Sequence, residues 1–142
     1  MYTYRVKSVN RIVDGDTIDV TIDLGFSIHI DQRIRVAGID SPEKRTRDAA
    51  EKALGIDATE WMRKRIVGAY VSPTKLELII KTAVEGSMGK YGRVLGWLFV
   101  GNEDVSLNEQ MIAEGFAWKY DGGTKKKDLQ SLIDIRKSQG TY

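Results

Sequence analysis

The chain of 142 residues contains no cysteine and a single histidine, His29. These two shortages exclude more chemistry than anything else in its composition. Without thiols there are no disulfides and no thiolate ligands, although the redox compartment stays open. A zinc site draws on several His or Cys ligands, and none can be assembled here. Blue-copper centres and the iron facial triad fall on the same count. A Ser-His-Asp triad would have to run through His29, and no nucleophile motif accompanies it, so His29 reads as structural. There is also no apolar run of membrane-spanning length, no internal repeat, no low-complexity tract and no Pro/Ser-rich linker. Charge of one sign is lacking too: 22 basic residues stand against 20 acidic ones, a net of +2. That balance is a weak pointer to an anionic partner. It suits a protein whose carboxylates hold a metal while its cations meet phosphate.

What is present is an ordinary globular composition, 42% apolar and 30% charged. The length fits one domain with one core, spanning 1–142. The start, Met1-Tyr2-Thr3-Tyr4-Arg5, has no apolar stretch behind a basic segment. No secretory signal is read there, and an intracellular or phage-encoded setting is expected over export. Ile18, Val20, Ile22 and Leu24 alternate with Asp19, Thr21 and Asp23, the period of a half-buried strand. Tyr4 to Ile12 is a plausible partner strand, and His29 to Ile39 reads as a third. Leu76, Leu78 and Ile80 mark a fourth, and Val94 to Val100, apolar on both faces, suits a central strand. Leu54, Ala58, Trp61, Met62 and Ile66 recur at helical spacing. Ser106-Leu107-Asn108-Glu109 is a capping box, with Gly115 as the helix stop. Leu129, Leu132, Ile133 and Arg136 sketch a last helix. Three strands, a helix, two strands and two helices give an α+β, mainly β chain, expected to form a five-stranded OB-type barrel with three α-helices.

Two acidic constellations interrupt this pattern. Val13-Asp14-Gly15-Asp16-Thr17 lies between strand-like runs, and the plain reading is a hairpin turn in which Asp-Gly supplies positive φ. Asp16, however, shares parity with Ile18, Val20 and Ile22. An ionised carboxylate at a barrel mouth needs a cation or a donor. Further on, Arg35, Asp40 and Glu43 crowd one strand end in Arg33-Ile34-Arg35-Val36-Ala37-Gly38-Ile39-Asp40-Ser41-Pro42-Glu43. Arg35 and Asp40 have opposite parity, so a flat strand would put them on opposite faces; Gly38 could host a bulge or kink that re-aims Asp40.

Asp-Gly-Asp-Thr followed by Arg-x-x-x-x-Asp-Ser-Pro-Glu, and then by Lys90-Tyr91-Gly92-Arg93, resembles the signature of the staphylococcal nuclease family. The three motifs occur in order, and the resemblance covers nearly the whole chain. It implies a Ca²⁺-dependent phosphodiesterase acting on DNA and RNA. Asp16 and Asp40 match the family's calcium carboxylates. The Ser41 carbonyl would be a third ligand where the family often has Thr, an all-oxygen set suited to a hard cation. Glu43 matches the residue that orients or deprotonates the attacking water. A free glutamate titrates near about 4.3, so positioning matters as much as basicity. Arg35 and Arg93 match the two guanidinium groups that grip the phosphate. Asp14 would support the metal from behind its ligands, or simply make the turn. Tyr91 and Tyr120 are candidates to touch phosphate or stack on a base; the plainer readings are a Gly-rich hairpin and an ordinary surface aromatic. The products implied are 3′-phosphates and 5′-hydroxyls.

Gly89 stands where the family often has an acidic residue, and Gly86-Ser87-Met88-Gly89 lacks the glycine spacing of a Walker A loop. Lys44, Arg45, Arg47 and Lys52 either guide a nucleic-acid backbone or are simply solvated, and Lys125-Lys126-Lys127 reads as a solvated loop or helix start. The competing function is an OB-type module that binds nucleic acid or protein without cutting it, since the fold hosts both. A purely structural barrel is weaker still. The presence of Asp16, Arg35, Asp40, Glu43 and Arg93 together favours activity. Single-stranded or breathing substrates, a monomer and no membrane partner are expected.

Overall fold

In a computed structural model, the structure describes residues 1–71, 76–83, 94–123 and 127–142. Five strands close a barrel: β1 (Tyr2–Asp14), β2 (Thr17–Asp23), β3 (His29–Val36), β5 (Leu78–Thr82) and β6 (Val94–Val100), in the order β1-β2-β3-β6-β5 with β5 returning to β1. All neighbours are antiparallel except β3 and β6. Two further short strands, β4 (Ile39–Asp40) and β7 (Trp118–Lys119), pair beside the barrel. The expected five-stranded barrel with three helices is therefore the observed one.

The alternation read in β2 is the reason it forms: Ile18, Val20 and Ile22 are buried, while Asp19, Thr21 and Asp23 are only partly covered. Ile34 and Val36 of β3, Leu78 and Ile80 of β5, and Leu98 and Val100 of β6 complete the same interior. The long β1 strand pairs on both sides, and register shifts at Val6/Ser8, Val9/Arg11 and Ile12/Asp14 let it curve from β5 round to β2. α1 (Ala49–Val71) contributes Ala58, Trp61, Met62 and Ile66 to the core, and α2 (Leu107–Ala113) contributes Leu107 and Met111. α3 (Leu129–Ser138) buries Leu132. It is tied to α1 by Arg136, whose Nη1 donates to Asp57 Oδ2 at 3.0 Å and whose guanidinium lies 4.4 Å from the Phe116 ring. Among the described residues no helix is long and apolar enough to cross a membrane.

Two strand boundaries and the covering of one strand differ from what the sequence suggests. The third strand does not run to Ile39. It ends at Val36, because Gly38 takes φ +76° and turns the chain into β4. The fourth begins at Leu78, and Leu76 is exposed ahead of it. β6 is not buried on both faces: Gly96, Leu98 and Val100 face inward, while Leu95, Trp97 and Phe99 are only partly covered. A barrel wall has one inside, so this apolar outer face belongs to something other than the core.

Ser106 caps α2 as expected, its Oγ accepting from the Glu109 N–H at 3.1 Å. The residue between them does more. Asn108 is buried. Its Oδ1 accepts from the Leu98 N–H at 3.0 Å, and its Nδ2 donates to Ala37 O at 2.7 Å and Gly96 O at 3.1 Å. It stitches α2 to β6 and to the turn after β3. Asn108→Ala leaves these backbone groups buried and without that partner, so it is expected to lower unfolding free energy by about 2–4 kcal/mol, given the usual cost of orphaned buried polar groups. Urea denaturation checks this; a loss under about 0.5 kcal/mol, the range of an ordinary surface substitution, would contradict the role.

Candidate active site

The Asp14–Thr17 turn joins β1 to β2 through a two-residue loop, since Asp14 and Thr17 still pair. The expectation that Gly15 supplies positive φ is corrected: it is not among the residues with left-handed backbone. Glycine is required there for space. A Cβ would lie 2.9 Å from Ala58 Cβ and 3.1 Å from Ser41 Cβ, wedged between α1 and the segment after β4. The Asp16 N–H donates to Asp14 Oδ1 at 3.2 Å, and Asp16 Oδ1 accepts from the Thr17 hydroxyl at 3.0 Å. Asp16 Oδ2 accepts from the Ser41 N–H at 3.2 Å, linking the two acidic constellations directly.

Arg35 and Asp40 do come to one side. The Gly38 turn reverses the parity between them, and its carbonyl accepts from the Tyr120 N–H at 2.9 Å, so the β4–β7 pair holds Asp40 in place. The Arg35 guanidinium then lies between carboxylates: Nη1 is 3.3 Å from Asp16 Oδ2 and Nη2 is 3.8 Å from Asp40 Oδ1. Nη1 also donates to Val36 O at 3.2 Å and Asp16 O at 3.4 Å. Side-chain exposures of 10% for Arg35, 12% for Asp16 and 4% for Asp40 make this a largely desolvated charge cluster.

Among the described residues the cluster carries more negative than positive charge. Burial pushes the Asp14 carboxyl up to about 7, its hydrogen bond to and repulsion from Asp16 add to this, and Glu43 contributes from further away. For Asp16, burial raises the pKa as well, but it is outweighed by the Asp14 hydrogen bond, the Arg35 charge, the Ser41 N–H and the Thr17 hydroxyl, so the net direction is down. An anionic excess around buried oxygens is the environment a hard divalent cation relieves. Among the described residues no three acidic or histidine side chains group closely enough to ligate a metal by themselves. The donors on offer are the carboxylates of Asp16 and Asp40 and the Ser41 carbonyl, with water left to complete a shell. That set fits Ca²⁺ and does not fit a nitrogen- or sulfur-seeking metal.

Glu43 lies two residues past Ser41 at the start of the loop leading to α1, partly exposed, and its N–H donates to Glu51 Oε2 at 2.9 Å. Lys44 is partly covered in the same loop, while Arg45, Arg47 and Lys52 are exposed. Tyr120 joins Arg35, Ile39, Leu95 and Trp97 around an open recess of about 320 Å³, and its hydroxyl donates to Gly123 O at 2.8 Å. Two residues of the outer face of β6, Leu95 and Trp97, thus line a recess beside Arg35. His29 is exposed on β3, with Nδ1 3.4 Å from Lys7 Nζ. Arg93 and Tyr91, with Lys90 and the Gly86–Gly89 segment, lie outside the described residues, as do Lys125 and Lys126. Lys127 is not simply solvated: its Nζ is 3.2 Å from Glu51 Oε2. Glu51 and Trp97 escaped the sequence reading. Glu51 looks like any acidic residue in a first helical turn, and Trp97 like one more apolar residue in a strand.

This arrangement can be set beside known proteins. The family described as staphylococcal nuclease homologue matches residues 33–139. An uncharacterised endonuclease of Escherichia coli is 30% identical over 113 residues, 80% of this chain and 60% of that protein. The ParB protein of Escherichia coli is 32% identical over 139 residues, 93% of this chain and 67% of its own. The micrococcal nuclease of Shigella flexneri is 30% identical over 129 residues, 86% and 62%. The match thus spans about three fifths of the length of the curated endonuclease and micrococcal nuclease. With the barrel, its three helices and the order of its motifs, the chain belongs to the staphylococcal nuclease family.

Proposed function

We propose that this protein is a Ca²⁺-dependent nuclease that hydrolyses phosphodiester bonds of DNA and RNA. The observation that carries the reading is the buried Arg35 guanidinium held between Asp16 and Asp40 at the barrel mouth, with a partly exposed Glu43 three residues after Asp40. Asp16, Asp40 and the Ser41 carbonyl would hold the cation. When bound, it supplies positive charge to a phosphate oxygen and acidifies nearby water. The remaining work falls to the chain itself. Glu43 orients the attacking water and accepts its proton at a carboxylate oxygen. Arg35, fixed by its carboxylates and by the Val36 carbonyl, presents its remaining N–H groups to the phosphate, where charge grows on the equatorial oxygens in the transition state. Arg93 is proposed as the second guanidinium on its motif alone. The leaving 5′-oxygen takes a proton from solvent water, giving 3′-phosphate and 5′-hydroxyl ends. A concave site at a barrel mouth favours single-stranded or breathing substrates, taken by a monomer.

Two tests follow. Purified protein is incubated with heat-denatured DNA in Ca²⁺ or in excess chelator. Cleavage is expected only with Ca²⁺; Glu43→Gln is expected to reduce turnover roughly 10²–10⁴-fold, the usual worth of a positioned base. Arg35→Lys is expected to cost about 10²–10³-fold, as for loss of an aligned donor at developing charge. If the wild type cuts under neither condition yet still retains DNA, the chain is a binding module. Separately, thermal melts should rise with Ca²⁺, by about 2.7 kcal/mol of stability at a hundredfold excess over Kd. Asp40→Asn should erase that response. A melting curve indifferent to Ca²⁺ in the wild type would sink the cation assignment.

A further inference from the structure

Glu51 stands in the first turn of α1 with its side chain only 8% exposed. A carboxylate so covered needs compensation. It receives two partners on one oxygen: Oε2 accepts from the Glu43 N–H at 2.9 Å and lies 3.2 Å from Lys127 Nζ. One helical turn later, Gly55 meets the next peptide of the chain, Glu43–Lys44. A Cβ there would stand 2.5 Å from Glu43 O and 2.7 Å from Lys44 N. The Glu43 main chain is therefore held on both sides: its N–H is bound by Glu51, and its carbonyl is pressed against bare helix. Lys127 reaches Glu51 from the other end of the molecule. It directly precedes Asp128, the N-cap of α3, whose side chain accepts from the Ser131 N–H at 3.3 Å. α3 is itself fixed to α1 through Arg136 and Asp57.

We propose that Glu51 and Lys127 form a strut that positions Glu43, coupling the docked C-terminal helix to the catalytic loop. The inference rests on the nuclease reading for the role of Glu43, and on geometry alone for the strut. Glu51 fixes where the Glu43 backbone lies, and Lys127 neutralises a carboxylate that would otherwise add to the anionic excess near Asp40 and Glu43. The field of those groups is felt at Lys127: burial lowers its pKa, but Glu51 outweighs this, and Glu43 and Asp40 add to a net rise. A water-orienting carboxylate on a loop acts only if its main chain is held, because small misplacements of a catalytic group cost large factors in rate.

The test pairs kinetics with amide exchange on the full chain. Glu51→Gln is expected to lower kcat on heat-denatured DNA roughly 10–100-fold, with KM changed less than about twofold, as expected for a group acting only in the transition state. The Glu43 amide should lose hydrogen-exchange protection by at least about tenfold while core strand amides keep theirs. Lys127→Met should shift both readouts in the same direction, and Lys127→Arg should restore them. The Lys127 side chain is 42% exposed, so its variants keep the proposal falsifiable if Glu51→Gln fails to fold. Unchanged kcat together with an unchanged Glu43 amide in Glu51→Gln and Lys127→Met overturns the strut. Kinetic losses that follow only a general drop in melting temperature, with no selective change at the Glu43 amide, overturn it too. A wild type that cuts no DNA, but whose Glu43 amide is deprotected in Glu51→Gln, refutes the nuclease reading and upholds the strut.

Discussion

The rest of the site depends on one buried cation. Arg35 is covered to the extent that its guanidinium would be costly without partners, and the partners are Asp16, Asp40 and two backbone carbonyls. The dependence runs both ways. Asp16 and Asp40 are equally desolvated and could not both remain ionised at the barrel mouth without positive charge nearby. Arg35 supplies one unit of it. Asp14 is pushed up to about 7 chiefly by burial, with its hydrogen bond to Asp16 and the charges of Asp16 and Glu43 adding to the rise.

Such a cluster needs a rigid frame, and one face of α1 supplies it. Ala58 packs against Gly15 in the first acidic turn, Gly55 against the Glu43–Lys44 peptide, and Glu51 holds the Glu43 N–H. These positions lie three or four residues apart, on one side of the helix. Two of the contacts work by absence: at Gly15 and Gly55 a single methyl group would push the loop away from the helix. On the opposite flank, β7 and the Asn108 amide fix the turn at Gly38. The two loops that carry the carboxylates are thus set by neighbours as well as by their own hydrogen bonds. This is how OB-type barrels place varied chemistry at one end of a constant wall.

Much of this was legible in the residues. The period-2 strands, the capped helix and the barrel topology follow from hydrophobic spacing, because burying one face of a strand forces alternation. The need for a break at Gly38 could be read from parity: Arg35 and Asp40 cannot share a side of a flat strand. How far the outer face of β6 is covered is not legible in sequence, since Leu95, Trp97 and Phe99 look the same whether they face a second layer or an open recess. Gly15 was assigned the right residue type for the wrong reason, because backbone freedom and lack of volume leave the same letter.

The sequence by itself determined which chemistry is possible here. One histidine and no cysteine rule out a site built from several nitrogen or sulfur ligands, and the ordered motifs point to the carboxylates and arginines that could serve. Tertiary structure alone decided how those groups share charge. That Arg35 bridges Asp16 and Asp40, that Asp16 takes the Ser41 N–H, and that Lys127 reaches Glu51 across the chain all depend on distances between residues remote in sequence. Burial and Coulomb energies are set by those distances, and no local pattern encodes them.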